Sequence, residues 1–285
     1  MFTLQSKRSG AEVRMNPQSL LFLTSLFGIV PAILVLYYVL NTYEEYLKDS
    51  TLYAFFAGGM IVGMVSFVLH LLIDPQIFGF LDLSILIFVL AFAVLEELTK
   101  YVILYLKWFK AQFSTTYYGL SYGLGFGATS IISIAYRDFY LYPEKTLENP
   151  FVLPTFFFLG LGFVGLHATT GGFIGYASAK KMRWNGLILA LGFHLVFNAI
   201  LLWLWWSWYP SRLGQAMILA GIGLAGVYIF RKDFMPNTLT RRLSRDRRRK
   251  MKARLYGKGR RKGKGPGVPT ITFGERPAKA GTEEE

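Results

Sequence analysis

The chain has 285 residues, of which 53% are hydrophobic and 17% charged, and its mean hydropathy is positive; this excludes an ordinary soluble domain and points to a polytopic membrane protein. It contains no cysteine, which excludes disulfides, thiolate catalysis, cysteine-ligated metals and cysteine-borne lipid anchors. The net charge of +14 is uneven: residues 231–285 hold 18 Lys/Arg against 6 Asp/Glu, and the other 230 residues hold 13 against 11.

Residues 1–18 form a polar segment with Lys7, Arg8 and Arg14. The apolar run at 19–40 is too long for a signal-peptide core and does not end in a small-residue cleavage site, so it reads as a retained first span. Further spans are expected at 53–73, 83–107, 117–136, 151–177, 186–208 and 212–230, each near the ~20 residues that cross the hydrocarbon. The expected fold is therefore an all-α bundle of seven transmembrane helices within residues 19–230. Loop charges favour an outside N-terminus and an inside C-terminus, with Lys48, Lys107, Lys110, Lys180, Lys181, Arg183 and the basic tail inside.

Glycines recur at four-residue spacing: Gly59/Gly63, Gly119/Gly123/Gly127 and Gly171/Gly175. That spacing lets helix backbones approach closely in lipid. The fourth span is so rich in glycine that it belongs at the centre of the bundle. After it come two more spans, a short hairpin at Pro210-Ser211 and the last span. The basic tail, residues 231–285, reads as disordered or partly helical. Its 241–264 segment is suited to anionic lipid at roughly 1 kcal/mol per basic residue. With only Tyr256 and Phe273 available for base stacking, nucleic acid is disfavoured as a partner.

The informative stretch is 92–108, FAVLEELTKYVILYLKW, which puts two carboxylates and an ammonium inside an apolar run. Each such residue costs roughly 2.5–3.5 kcal/mol near the centre of a spanning helix, so Glu96, Glu97 and Lys100 must face protein, water or one another. The three histidines also fall in spans. His70 lies near a span end, before Asp74-Pro75, where a structural interfacial role suffices. Glu97, His167 and His194 lie ten, eleven and nine residues from Lys107, Ser178 and Asn185 on the inner side. At ~1.5 Å per residue, that places all three about 15 Å deep, in one layer.

Local spacing refines the picture. Glu96 and Lys100 are i,i+4 and expected to pair, whereas Glu97 points toward a neighbouring helix. His194 and Asn198 share a face, as do Phe163 and His167. Such a set can activate water, with a carboxylate base and donors for a developing oxyanion. It can equally form a metal site of two histidines and one glutamate, a ligand set of zinc peptidases, although H-E-x-x-H is absent. A third reading is a buried ion pair with two histidines bonding between helices.

EELTK at 96–100, FVGLH at 163–167 and HLVFN at 194–198 resemble the intramembrane proteases of the CPBP/Abi superfamily, which includes PrsW and the CAAX-prenyl endopeptidases. Those proteins carry E-E-x-x-K or E-E-x-x-x-R, F-x-x-x-H or F-x-x-x-E, and H-x-x-x-N on separate spans. Tyr101 at the alternative arginine position, YGLSYGLGFGA at 118–128 and HATTGGFIGYA at 167–177 point to the PrsW branch. The resemblance covers residues 83–200. It implies Glu96 as the water-activating base, Glu97 as its essential partner and His167 as holder of the water or a metal. His194 and Asn198 would stabilise an oxyanion or supply a ligand, and Lys100 and Phe163 would give structural support. Zinc held by Glu96, His167 and His194 is one implied cofactor, and the implied substrate is a membrane protein or lipid-anchored peptide in a prokaryotic cell membrane. Ser130 stands where PrsW-type chains carry a glutamate, which leaves a non-catalytic scaffold descended from the protease fold as the alternative.

Overall fold

The computed structural model describes residues 16–40, 49–73, 82–109, 112–141, 149–182, 184–206 and 211–238. The chain divides into Met1–Thr240 and Arg241–Glu285. The 241–264 segment expected to meet lipid lies outside the described residues, as do residues 1–15. All described elements are helices, with no strand among the described residues. In chain order they are α1 (Pro17–Leu40), α2 (Asp49–Ile73), α3 (Asp82–Leu104), α4 (Thr115–Leu141), α5 (Val152–Lys180), α6 (Asn185–Trp206) and α7 (Arg212–Ile229).

Local chemistry sets several boundaries. Asn16 accepts a hydrogen bond from the Gln18 amide at 3.0 Å, and Pro17 follows at the first helical position, where its missing N–H is harmless. Ser211 caps α7, its side chain accepting from the Gly214 amide. At its far end α7 runs through a π turn, Phe230–Phe234, and on to Thr238, a continuous apolar helix of 27 residues from Arg212. The basic tail thus begins after Thr238 in structural terms, later than the change in composition at Arg231.

Among the described residues, five helices are long and apolar enough to cross a bilayer: α1, α2, α5, α6 and α7 with its extension. Their outward faces carry apolar side chains such as Ile61 and Met64 on α2 and Ile188 and Val196 on α6, the surface a lipid-facing helix requires. Together they make the chain an integral membrane protein. The other two fall short on composition: α3 carries Glu96, Glu97 and Lys100, and α4 is dominated by Gly, Tyr, Ser and Thr.

The weakly apolar α4 is the hub. Residues 115–129 are buried without interruption, because α4 packs mainly on α5 and also on α2 and α1. Glycine makes these approaches possible. A methyl group on Gly119, Gly123 or Gly127 would strike the α5 backbone at Gly171, His167 or Phe163, and one on Gly125 would strike Phe56 of α2. The α2 glycines reciprocate: Gly59 lies against Tyr122 and Gly63 against Phe126. The four-residue glycine pattern is thus a contact map of α4 with its two largest neighbours, and it fixes the depth of α5 beside α4.

Candidate functional site

α3 packs lightly, chiefly against α6 and α5, and its one strongly polar turn faces both of them. Glu97 and Lys100 have no exposed surface. Lys100 Nζ lies 2.6 Å from Glu97 Oε1, 2.8 Å from Thr170 Oγ1 and 2.9 Å from His167 Nδ1. The expected Glu96–Lys100 pair is therefore replaced by Glu97–Lys100 at i,i+3. Both spacings bring side chains together on a helix. The i,i+3 partner wins because the interior face also supplies Thr170 and His167, which complete the three donors of the ammonium.

Glu97 does reach a neighbouring helix, as its rotation about α3 predicts: Oε1 receives His194 Nδ1 at 2.7 Å. Glu96, one residue earlier, faces the other way, into a cavity. Its Oε1 accepts from Ser66 Oγ at 2.9 Å and stands 3.5 Å from His70 Nε2. Its Oε2 lies 3.8 Å from His194 Nε2 and 4.0 Å from His167 Nε2. The glutamate side chain is 11% exposed, the two deep histidines 2% and 5%.

The cavity encloses about 220 Å³, far more than the ~10–15 Å³ that one water needs. Phe67, Phe88, Phe92 and Leu201 give it apolar walls, and Glu96, His167, His194 and Asn198 make its polar end. Phe163 also lines it and braces α5 against α6 by an edge-to-face contact with Phe197. The two histidine rings meet edge-on, their centroids 5.3 Å apart. Three helices thus deliver Glu96, His167 and His194 to one point, as the shared depth predicts.

Three contributors escape the sequence reading. Ser66, an ordinary hydroxyl in an apolar helix, holds the carboxylate. Thr170, one turn beyond His167, accepts from Lys100. His70 is the third: the sequence assigns it an interfacial structural role, but the structure turns it toward Glu96 and sets it against Phe92, the rings tilted by 58° with centroids 3.7 Å apart. The available signal was the i,i+4 spacing of Ser66 and His70, one face of α2 carrying two polar groups. Counting from span ends hid it, because α2 and α3 do not bring their ends to a common plane. Ser130 lines the cavity too, but its hydroxyl donates to the Phe126 carbonyl at 3.0 Å, so it brings no charge.

Glu96, His167 and His194 each offer a ligand atom within 4.8 Å of the others, and by spacing alone the three could hold a metal ion. The Lys100 hydrogen bond at His167 Nδ1 stands against His167 as one of its ligands, since a neutral imidazole accepting at Nδ1 carries its proton on Nε2. The chain matches no family model, and neither a curated protein nor a solved structure is found similar to it.

Proposed function

We propose that the protein is an intramembrane endopeptidase that hydrolyses a peptide bond of a membrane-associated protein or lipid-anchored peptide. The observation that carries this reading is the meeting of Glu96, His167 and His194, from α3, α5 and α6, at the polar end of an otherwise apolar cavity. A buried carboxylate beside two imidazoles is expensive to maintain in a membrane protein and marks chemistry by default. The resemblance of EELTK, FVGLH and HLVFN to the PrsW branch of the CPBP/Abi superfamily supports the same assignment.

In this reading, Glu96 Oε2 takes a proton from water while the water oxygen bonds to the peptide carbonyl carbon. The carbonyl oxygen becomes an oxyanion, received by an imidazole N–H and the Asn198 amide. Glu96 then gives the proton to the departing nitrogen as the C–N bond breaks. These steps use the side chains alone, because the Lys100–His167 contact leaves a zinc ion only Glu96 and His194 as ligands.

At 23 and 27 residues, α3 and α4 are long enough to span as well; they complete a seven-span bundle with the N-terminus outside and the C-terminus inside. The basic 241–264 segment then meets anionic lipid on the inner face. Incubation of the purified protein with candidate transmembrane substrates, beside Glu96→Ala and His194→Ala, tests the activity. Cleavage by the wild type alone is expected; equal cleavage by all three, or by none, sinks the reading.

One observation favours a second reading. Ser130 supplies no carboxylate where the PrsW-type pattern has glutamate, which fits a scaffold that has kept the fold without the chemistry. A cellular phenotype that survives Glu96→Gln and is lost with deletion of residues 239–285 would select it.

A further inference from the structure

We propose that Lys100 and Glu97 set the two deep histidines in opposite tautomers, so that His167 offers an Nε2–H and His194 a bare Nε2 to a single water held against Glu96. The inference deepens the hydrolase reading and relies on it for its chemistry. The tautomers themselves follow from donor accounting.

A lysine ammonium has three hydrogens to donate and nothing with which to accept. Nζ of Lys100 has three partners within 3 Å: Glu97 Oε1, Thr170 Oγ1 and His167 Nδ1. The Thr170 hydroxyl spends its own hydrogen on the His167 carbonyl at 3.3 Å, which leaves its oxygen free to accept. Each donor therefore has one acceptor, and Nδ1 of His167 is one of them. A neutral His167 then carries its proton on Nε2, the nitrogen that faces Glu96 Oε2 at 4.0 Å. His194 is held the other way round. Its Nδ1 meets a carboxylate oxygen of Glu97 at 2.7 Å, which can only accept, so a neutral His194 carries its proton on Nδ1 and leaves Nε2 bare. One carboxylate oxygen, Glu97 Oε1, thus serves both arms, directly for His194 and through Lys100 for His167.

Glu96 Oε2 lies 4.0 Å from His167 Nε2 and 3.8 Å from His194 Nε2, and each of the three residues offers a ligand atom within 4.8 Å of the other two, a set compact enough for one water oxygen to stand ~2.8 Å from all three residues. That water accepts from His167 and donates to His194 and Glu96. Both its hydrogens are committed to bases, and one lone pair remains for the carbonyl carbon. The assignment also decides which imidazole can serve an oxyanion. His194, with a bare Nε2, cannot donate there, so the donors are the amide of Asn198, which lines the same cavity, and His167 Nε2–H, released to the oxyanion once the water oxygen has bonded to carbon. This exchanges the roles that the family resemblance gives the two histidines. Lys100 touches neither water nor substrate in this scheme and acts as a positioning residue.

Nitrogen-15 NMR of the full chain, labelled at histidine and held in nanodiscs at neutral pH, tests this without substrate. Only His70, His167 and His194 contribute signals, and single substitutions to Gln assign them. The expected spectrum shows protonated Nε2 with bare Nδ1 for His167, and the reverse for His194. Lys100→Met is expected to spoil the single tautomer of His167 while Lys100→Arg, still a pure donor, preserves it. Should Lys100→Met fail to fold, the wild-type spectrum decides alone: a protonated Nδ1 on His167, or a bare Nδ1 on His194, overturns the proposal. Added Co²⁺ provides a second probe, and a tetrahedral cobalt spectrum in the wild type that vanishes in His167→Gln would equally overturn it. If both tautomers are as stated but no peptide is cut, the proposal stands and the hydrolase reading falls.

Discussion

Replacing Gly123 by alanine tests how tightly the bundle fixes the site. A methyl group there would overlap the His167 carbonyl oxygen and carbon and reach Ala168 Cα at 3.0 Å. All of these are backbone atoms of a long, buried helix, so they cannot swing aside as a side-chain tip would. Overpacking a well-filled interior costs about 1–3 kcal/mol, and a backbone obstacle puts Gly123 at the upper end. Alanine returns about 1 kcal/mol through helix propensity, which leaves a net loss of about 2 kcal/mol. For a chain of this size that is a fall of roughly 4–8 °C in melting temperature. Gly58→Ala is the matched control, because nothing lies within 4 Å of a methyl group at that position; it keeps the propensity gain and should raise the melting temperature by about 2–4 °C. Thermal unfolding of both variants in one detergent, followed by intrinsic tryptophan fluorescence, gives the comparison. Equal shifts, or a stabilised Gly123→Ala, would refute the claim that α4 and α5 touch through their backbones at the depth of the histidine.

Other expectations follow from the same geometry. Lys100→Met leaves Glu97 buried without its cation, and removing one member of such a pair costs about 3–5 kcal/mol; the double variant Lys100→Met/Glu97→Gln should recover part of that loss in the same melting assay. Ser66→Ala removes the hydrogen bond that holds Glu96 Oε1 and should lower cleavage several-fold with little change in melting temperature, because the site loosens while the packing stays. Deleting residues 239–285 should leave cleavage of a detergent-solubilised substrate intact. The excised basic segment should bind anionic vesicles at low salt and release them as ionic strength rises, an effect read by co-sedimentation.

Where the physics is local or depends on depth, the sequence was readable. Hydropathy located the five helices that, among the described residues, are long and apolar enough to span, since a spanning segment must satisfy its backbone internally and shed its charges; the segments expected at 83–107 and 117–136 are helices too but fall short of that composition. Glycine spacing located the hub, since only glycine allows that approach in lipid. Counting residues from the span ends puts Glu97, His167 and His194 in one layer, and the structure joins them through Glu96, Glu97 and Lys100. What resisted was the choice between near-equivalent neighbours. Lys100 had carboxylates at both i−3 and i−4, and only tertiary partners on α5 decide between them. His70 reads as interfacial because it lies near a span end, before Asp74-Pro75, and only the tertiary packing of α2 on α3 turns it toward Glu96. Arginine and lysine at 231–232 read as the start of a disordered or partly helical tail; the helix continues through them, with Arg231 over the Tyr38 ring and Lys232 near Tyr228.

The grip of α2 on Glu96 ties the candidate site to the packing of the bundle. α2 rests mainly on α4, α3 on α6 and α5, and the described links between α2 and α3 are Ser66 and His70 with Glu96, and His70 with Phe88 and Phe92. The glutamate is therefore also a clasp between two helices. Any movement that parts α2 from α3 takes Ser66 and His70 away from Glu96 Oε1 together. The fit of α2 to α3 and the setting of the carboxylate are thus one event, and neither can change alone.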